Sequence, residues 1–438
     1  MKGESWGRYP KVSQQVRMLE KRQQNPFRSK EELYLPYGQG RSYGDCCLND
    51  GGVLIGTRWL DSFIEFDRDQ GVLRCEAGVT LAQVLELVLP AGWFLPVTPG
   101  TKFVSVGGAL ANDVHGKNHH GSGTFGCFVR RFELLRSTGE RLICSDRENA
   151  ALFSATIGGL GLTGLITWVE FSLKRAPGPW IEMESVRFGN LEEFFGLSQE
   201  SDKEFEYTVA WLDCVSAGAN FGRGIFMRGR HVPSEAHPKR SLLGRLSPKV
   251  PIDLPSLTLN PLTVRAFNEL YYRKQRQRLV KKLVHYDPFF YPLDAVSGWN
   301  RIYGSRGFLQ FQCVVPSSGN SRPIAQILST VVENGDASFL AVLKEFGDIS
   351  SPGMLSFPRR GVTLCLDIPF RGTRTLNLFA RLDEMTRDFG GAIYPAKDAT
   401  MSAESFQQYF PRWKEVAALK DPRCSSSLWR RVTGLTQS

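Results

Sequence analysis

The sequence predicts an α+β protein of two lobes, and three observations predict it. Up to about residue 178, short strands and helices alternate around two glycine-rich stretches. From 180 to about 391 the strands lengthen and alternate more strictly, with three helices among them. Between the two patterns stands Pro177-Gly178-Pro179, a plausible boundary.

Taken in order, residues 12–22 read as a short helix, polar and basic on one side. Residues 33–35 read as a brief strand, and 36–45 (PYGQGRSYGD) as a tight loop at its end. Strands follow at 53–55, 63–66 and 72–76. Residues 80–89 form an amphipathic helix, with Leu81, Val84, Leu85 and Val88 on one face. The second stretch, 99–121 (PGTKFVSVGGALANDVHGKNHHG), is nearly free of helix signals. Glycines there let main-chain amides approach a ligand, and consecutive amides make an anion-binding concavity. It reads as the cradle of a phosphate-bearing cofactor, with a histidine delivered beside the reactive part. Strands at 132–135 and 142–144 form a hairpin, 149–157 a helix, and 165–173 a strand after the GGLGLTG turn.

Beyond the boundary, strands fall at 207–212, 225–228, 308–315 and 362–368, and helices at 191–197, 322–333 and 374–389. That pattern is a sheet with helices against one face. Residues 393–413 read as strand, loop and helix.

Composition excludes several classes. With 42% hydrophobic and 22% charged residues the 438-residue chain buries a large core and is not disordered. A net charge of +10 favours anionic partners. The nine cysteines are scattered without metal-site spacing, which suits free thiols in a reducing compartment. The N-terminus has no apolar core of a signal peptide, and no apolar run reaches a membrane span. The expected location is cytoplasmic, soluble or peripheral at the inner face of a membrane.

Four constellations have competing readings. Gly159, Gly161 and Gly164 match GxGxxG, but a helix precedes them and a strand follows, so a tight turn replaces the nicotinamide-site reading. His115 and His119 are four apart, but Gly116 and Asn118 interrupt a helix, so no metal site is expected. His115 is either a hydrogen-bonded loop histidine or a functional group, an acid/base or a flavin-edge contact. Gln310 and Gln312 share one strand face, as do Thr363, Cys365 and Asp367 on another strand; lacking lysine and glutamate, these faces suit a cavity wall. Cys365 is then a pocket thiol isolated from basic residues. Between Lys239 and Lys282, eleven Lys/Arg face two acids, with leucines interleaved. That segment is a solvated loop or rests on an anionic membrane surface. Phe267, Tyr271 and Tyr272 are too few and too clustered for nucleic acid.

Several motifs together carry a resemblance. They are Trp6-Gly7-Arg8, GRSYGD (40–45), PGT, VGGA and HGKNHH within 99–120, and GLTG (161–164). The second lobe adds AWLD (210–213), YPLD and WNR (291–301), GFLQFQ (307–312), FLAVLKEFG (339–347), LSFP (355–358) and CLDIP (365–369), and AKD follows at 396–398. With these the chain resembles the FAD-dependent oxidases of the vanillyl-alcohol-oxidase type, which have a PCMH-type FAD-binding domain and a substrate (cap) domain. The resemblance implies an FAD-binding domain at 1–178, a substrate domain at 179–391 and a segment at 392–438 returning to the first domain. It implies that Gly38, Gln39, Gly40, Arg41, Ser42 and Tyr43, with Pro99, Gly100 and Thr101, hold the FAD pyrophosphate. Ser105, Gly108, Asn112, His115 and Gly116 follow the ribityl chain and flavin, Ile166 touches the cofactor, and Tyr394 and Lys397 return to the ring. Lys344, Tyr291, Trp211, Gln310, Gln312 and Cys365 face the substrate. Tyr43 occupies the place where many relatives attach FAD through histidine, so the FAD is expected to be non-covalent.

The implied reaction oxidises the 2′-hydroxyl of a polyprenylphosphoryl-β-D-ribofuranose to the 2′-keto sugar. A separate NAD(P)H-dependent reductase then completes epimerisation to an arabinose donor for a cell-surface glycan, and quinone or oxygen takes the electrons. Lys397 is the expected cation of the transition state, and His115 the expected general base. Alternatives are a soluble aldonolactone or alditol oxidase, and a flavoprotein subunit that acts by docking a reductase.

Overall fold

The computed structural model describes residues 3–233, 249–255, 259–317, 321–335, 338 and 340–435. The first unit holds a three-stranded parallel sheet and a five-stranded antiparallel sheet. In the former, Val53–Gly56, buried throughout, lies between Tyr34–Tyr37 and Gln15–Met18. The last strand corrects the helix expected at 12–22. Val16 packs against Leu35, Tyr37 and Leu54, and strand pairing overrides the local helix propensity of the polar residues around it.

The five-stranded sheet runs, in spatial order, Phe63–Asp67, Val72–Glu76, Leu165–Ser172, Val129–Leu135 and Arg141–Ser145. The helix Leu81–Val88 buries the four apolar residues its period predicts, and Thr80 and Gln83 close a capping box at its start. The second glycine stretch is more helical than expected. Val106–Ala111 forms a short helix, and the Ser105 hydroxyl accepts from the Gly108 amide at 3.3 Å. Small residues permit this: the Gly107 amide donates to the Ala77 carbonyl at 2.8 Å, and a Cβ on Gly107 would sit 2.8 Å from the Ala77 Cβ.

The second unit is built on one eight-stranded antiparallel sheet. Its spatial order is Leu279–His285, Trp180–Phe188, Gly224–Val232, Tyr207–Leu212, Ala341–Phe346, Gly361–Pro369, Phe308–Val315 and Ala392–Ile393. Alternation gives the sheet two characters. Ala210, Leu212, Leu343, Leu364, Leu366, Leu309 and Phe311 point into a core shared with the helices Leu191–Ser201, Arg322–Glu333 and Thr373–Asp388. The opposite face is partly polar and looks toward the first unit.

The final strand lies just beyond the boundary expected at 391 and still belongs to this sheet. The chain then turns back. The Tyr43 amide donates to the Ala396 carbonyl at 2.9 Å, Ser425 to Tyr34 at 2.9 Å and Ser427 to Leu48 at 2.7 Å. Of the basic segment 239–282, residues 239–248 and 256–258 lie outside the described residues. The remainder is more regular than a solvated loop. Pro261–Lys274 is a helix capped by Asn260, and Leu279–His285 pairs with Trp180–Phe188. Among the described residues no helix is long and apolar enough to cross a membrane.

Candidate active site

Both glycine stretches, the 158–164 turn, the polar face of the large sheet and the 394–397 segment enclose a cavity of about 720 Å³. The sheet contributes by register. Gln312 pairs with Cys365 and Lys344 with Thr363, so these four side chains project together from adjacent strands, with Gln310 and Val342 beside them. Gln310, Gln312, Thr363 and Cys365 all line the cavity, as their alternation suggested; Asp367 lies one layer behind, where its carboxylate accepts from the Gln310 amide. Burial raises the Asp367 pKa.

The first glycine loop forms the opposite wall. Gly40 has φ +63, and a Cβ there would collide with the Tyr37 hydroxyl at 2.2 Å. Arg41 donates to the Gln39 carbonyl at 2.8 Å and stacks over Trp6 at 4.3 Å. Tyr43 packs with Trp299, Tyr303 and Phe308. The Lys397 ammonium lies over the Tyr43 ring, 3.7 Å from its centroid. Burial pushes Lys397 down to about 8, against the pull of Cys365 and Asp367.

His115 stands where the two units meet. Its Nδ1 is 3.0 Å from Lys344 Nζ, and its Nε2 is 3.0 Å from the Gln312 amide. Burial, then the Lys344 charge, holds the imidazole well below its usual range. A neutral imidazole accepts at one nitrogen and donates at the other. Lys344 Nζ faces Nδ1 and the Gln312 side-chain nitrogen faces Nε2, so each ring nitrogen has a polar partner. Both nitrogens are therefore engaged, which weakens the general-base reading of His115 and makes it the seat of Lys344. Burial and the charge of Lys117 push Lys344 down to about 7. Cys365, expected to be isolated from basic residues, instead has Lys397 and Lys344 acting on it; burial still lifts its thiol to about 12.

The positions expected to hold the cofactor lie in the same cavity. Gly38, Gln39, Ser42, Pro99, Gly100, Thr101, Ser105, Gly108, Gly116 and Ile166 line the cavity. Asn112 and Tyr394 line it as an ordered pair: the Tyr394 hydroxyl donates to the Asn112 carbonyl at 2.7 Å. Two expected substrate residues lie elsewhere. Trp211 packs with its ring centroid 4.7 Å from that of Tyr271, outside the cavity lining. Tyr291 is buried one layer back, its hydroxyl 2.7 Å from that of Thr98, which does line the cavity. Of the other two histidines in the stretch, His119 packs 4.4 Å from Phe346, and His120 Nε2 is 3.0 Å from the Phe205 carbonyl. Among the described residues no group of histidine, cysteine and carboxylate side chains could hold a metal.

One lining lysine was missed. Lys117 lies in the cavity wall directly after Gly116, and burial pushes it down to about 8. Within HGKNHH nothing local separates it from a lysine in solvent. The cavity thus gathers Lys117, Lys344 and Lys397.

These features fit a dinucleotide. Main chain from two separate glycine stretches is bare toward the cavity. Gly100 has no atom within 4 Å of where a Cβ would be, and Gly38 comes so close to Ser105 that a Cβ would lie 2.4 Å from its hydroxyl. The buried cations suit a phosphate-bearing molecule. Comparison with known proteins agrees. A family model described as FAD binding domain matches residues 26–145. The decaprenylphosphoryl-beta-D-ribose oxidase of Mycolicibacterium smegmatis is 36% identical over 397 residues, 88% of this chain and 85% of the relative. An uncharacterized protein of Streptomyces coelicolor, from the mprA 5′ region, is 33% identical over 81% of this chain and its own full length. The human Delta(24)-sterol reductase is 30% identical over only 26% of this chain and 22% of its own. The breadth of the first match and the FAD-binding model together make this chain an FAD-dependent oxidoreductase belonging to the decaprenylphosphoryl-β-D-ribose oxidase family.

Proposed function

We propose that the protein oxidises the 2′-hydroxyl of a polyprenylphosphoryl-β-D-ribofuranose to the 2′-keto sugar, with FAD held non-covalently. The observation that carries this reading is the set of three lysines in one cavity with the cofactor cradle. A neutral alditol or lactone requires no such set, whereas a sugar phosphodiester does. The name of the mycolicibacterial relative supports the same substrate class.

FAD supplies the hydride acceptor when bound. The chain's own residues orient the alcohol and manage its proton. Lys397 Nζ, partly neutral near pH 8, can take the hydroxyl proton, and as an ammonium it stabilises negative charge growing on that oxygen. Lys344, seated on His115, and Lys117 bind the phosphate. Gln310 and Gln312 bond sugar hydroxyls from the sheet. Electrons then pass to quinone or oxygen, and a separate NAD(P)H-dependent short-chain reductase completes the epimerisation that supplies arabinose to a cell-surface glycan.

The test is anaerobic. Polyprenylphosphoryl ribose is expected to bleach the flavin, while free ribose, alditols and aldonolactones at equal concentration leave it yellow. Bleaching by a lactone but not by the lipid-linked sugar would overturn the assignment. Acid precipitation is expected to release free FAD into the supernatant, because a phenol at Tyr43 has no imidazole nitrogen to bond the flavin methyl. Flavin that stays with the pellet refutes non-covalent binding.

A lipid-linked substrate also accounts for the helix Pro261–Lys274. It turns Val264 and Asn268 inward but exposes Leu262 at 78% and Leu270 at 73%, beside Arg265, Arg273 and Lys274. An apolar, basic face of this kind suits peripheral contact with an anionic bilayer. The holoprotein is expected to sediment with phosphatidylglycerol vesicles at low salt and to lose binding in Leu262→Ser/Leu270→Ser. Equal sedimentation of both proteins removes this helix from membrane contact.

A further inference from the structure

We infer that Arg431, near the C-terminus, is a positioning residue for Lys397. The inference rests on the reading of Lys397 as the cation of the reaction centre.

Arg431 lies on the short helix Ser427–Thr433 and reaches two carboxylates at once. Its Nε donates to Asp45 Oδ2 at 2.9 Å, and its Nη2 donates to Asp45 Oδ1 and to Asp398 Oδ2, both at 2.8 Å. Nη1 donates to the Met401 carbonyl. Asp45 and Asp398 are only 3% and 4% exposed. Each belongs to a loop that carries one half of the Lys397 contact. Asp45 is two residues after Tyr43, and Asp398 directly follows Lys397.

The two loops are already as close as main chains can be. The Tyr43 amide donates to Ala396, and a Cβ on Gly44 would lie 1.5 Å from the Asp398 carbonyl oxygen. That approach brings two buried carboxylates to one guanidinium. Like charges in a poorly solvated place repel, and a planar fork bonded to both offsets the repulsion. Asp398 Oδ1 meanwhile accepts from the amides of Thr400 and Met401, both at 2.9 Å, which closes the turn after Lys397. Without the fork, the available relief is to part the 394–398 turn from the 40–45 loop. That movement carries Lys397 off the Tyr43 ring. Arg431 itself does not line the cavity, so it acts through the turn and not on the substrate.

Arg430 provides the control. It lies on the same helix and donates to Asn49 Oδ1 at 2.8 Å and to the Asp50 carbonyl at 2.9 Å, so it anchors the helix to the first unit without bonding Asp398. Arg431→Gln and Arg430→Ala are compared with the parent protein in two ways. Flavin reduction by polyprenylphosphoryl ribose is followed anaerobically. Separately, and without substrate, competitive acetylation of lysines read by mass spectrometry gives the titration midpoint of Lys397. Arg431→Gln is expected to slow limiting reduction about 10-fold to 100-fold with little change in half-saturating substrate. It leaves two carboxylates unneutralised near Lys397, so the midpoint is expected to rise by about half a pH unit or more. Arg430→Ala is expected to lower the melting temperature while leaving rate and midpoint near the parent values.

Arg431→Gln with parent-like rate and midpoint overturns the inference, as does Arg430→Ala reproducing both changes. If Arg431→Gln fails to fold, Asp398→Asn tests the same link from the other end and is expected to shift rate and midpoint; its failure to do so also overturns the inference. Loss of the rate effect in Lys397→Ala itself instead rejects the underlying reading of Lys397.

Discussion

Lys397→Ala is expected to keep the protein yellow and to slow its bleaching by substrate about 100-fold to 1,000-fold. Flavin retention follows because the cradle is main chain from two glycine stretches, to which the Lys397 side chain adds little. The loss of rate follows from the chemistry. Oxidising a secondary alcohol takes a proton from oxygen and a hydride from carbon, and negative charge grows on that oxygen meanwhile. Lys397 is buried against Tyr43, so water screens its charge poorly and its contribution is large. The sign of the pH dependence tells which form of Lys397 acts. Burial has lowered the lysine pKa to about 8, so the ammonium is present below that pH and disappears above it. If the ammonium is the form that matters, limiting reduction falls as pH rises through about 8, and the alkaline limb is absent from the residual activity of Lys397→Ala. If the neutral amine takes the proton, the rate instead rises through the same pH. Stopped-flow reduction across pH 6–10 separates the two. Parent-like bleaching in Lys397→Ala removes the residue from the chemistry; if the variant also supports epimerisation with a reductase, the protein acts by docking.

Much of this arrangement was legible in the sequence because periodicity and glycine placement are local signals. The alternation in Phe308–Val315 and Gly361–Pro369 gave both the core face and the cavity face of the large sheet. The failures were tertiary in origin. Gln15–Met18 is a strand only because Val53–Gly56 lies beside it. Tyr207, Val209 and Trp211 share one strand face, yet the cavity ends after Val209, and Trp211 meets Tyr271 from the helix Pro261–Lys274, which lies in a segment whose basic, proline-broken sequence hides it. Lys117 was overlooked because nothing local distinguishes a lysine in a cavity wall from one in solvent. The surroundings of His115, the expected general base, were not legible either: Lys344 and Gln312 reach its two nitrogens from distant strands.

The second large effect is expected at Asp113, two residues before His115. Asp113→Ala is expected to destabilise the holoprotein by about 3 kcal/mol and to weaken FAD binding. The carboxylate is fully buried. One oxygen accepts from the Gly126 amide at 2.9 Å, and the other accepts from the hydroxyls of Ser351 and Ser356. Those serines belong to the loop that joins Ala341–Phe346 to Gly361–Pro369, so Asp113 fastens the second unit to the stretch that carries His115 and Gly116. Alanine leaves an amide and two hydroxyls without this partner. It also has to occupy φ +42, a backbone that Asp and Asn adopt more readily than Ala. Asparagine tolerates that backbone and keeps one acceptor, so Asp113→Asn is expected to lose roughly 1 kcal/mol. The difference between the two variants separates the bonds from the backbone. Thermal melting of the holoproteins reads the order of stability, and fluorescence titration with FAD reads the affinity. If Asp113→Ala melts and binds like the parent, this carboxylate does not hold the two units together. If alanine and asparagine lose equally, what both lack, the negative charge and the second carboxylate oxygen, matters more than the one acceptor that asparagine keeps.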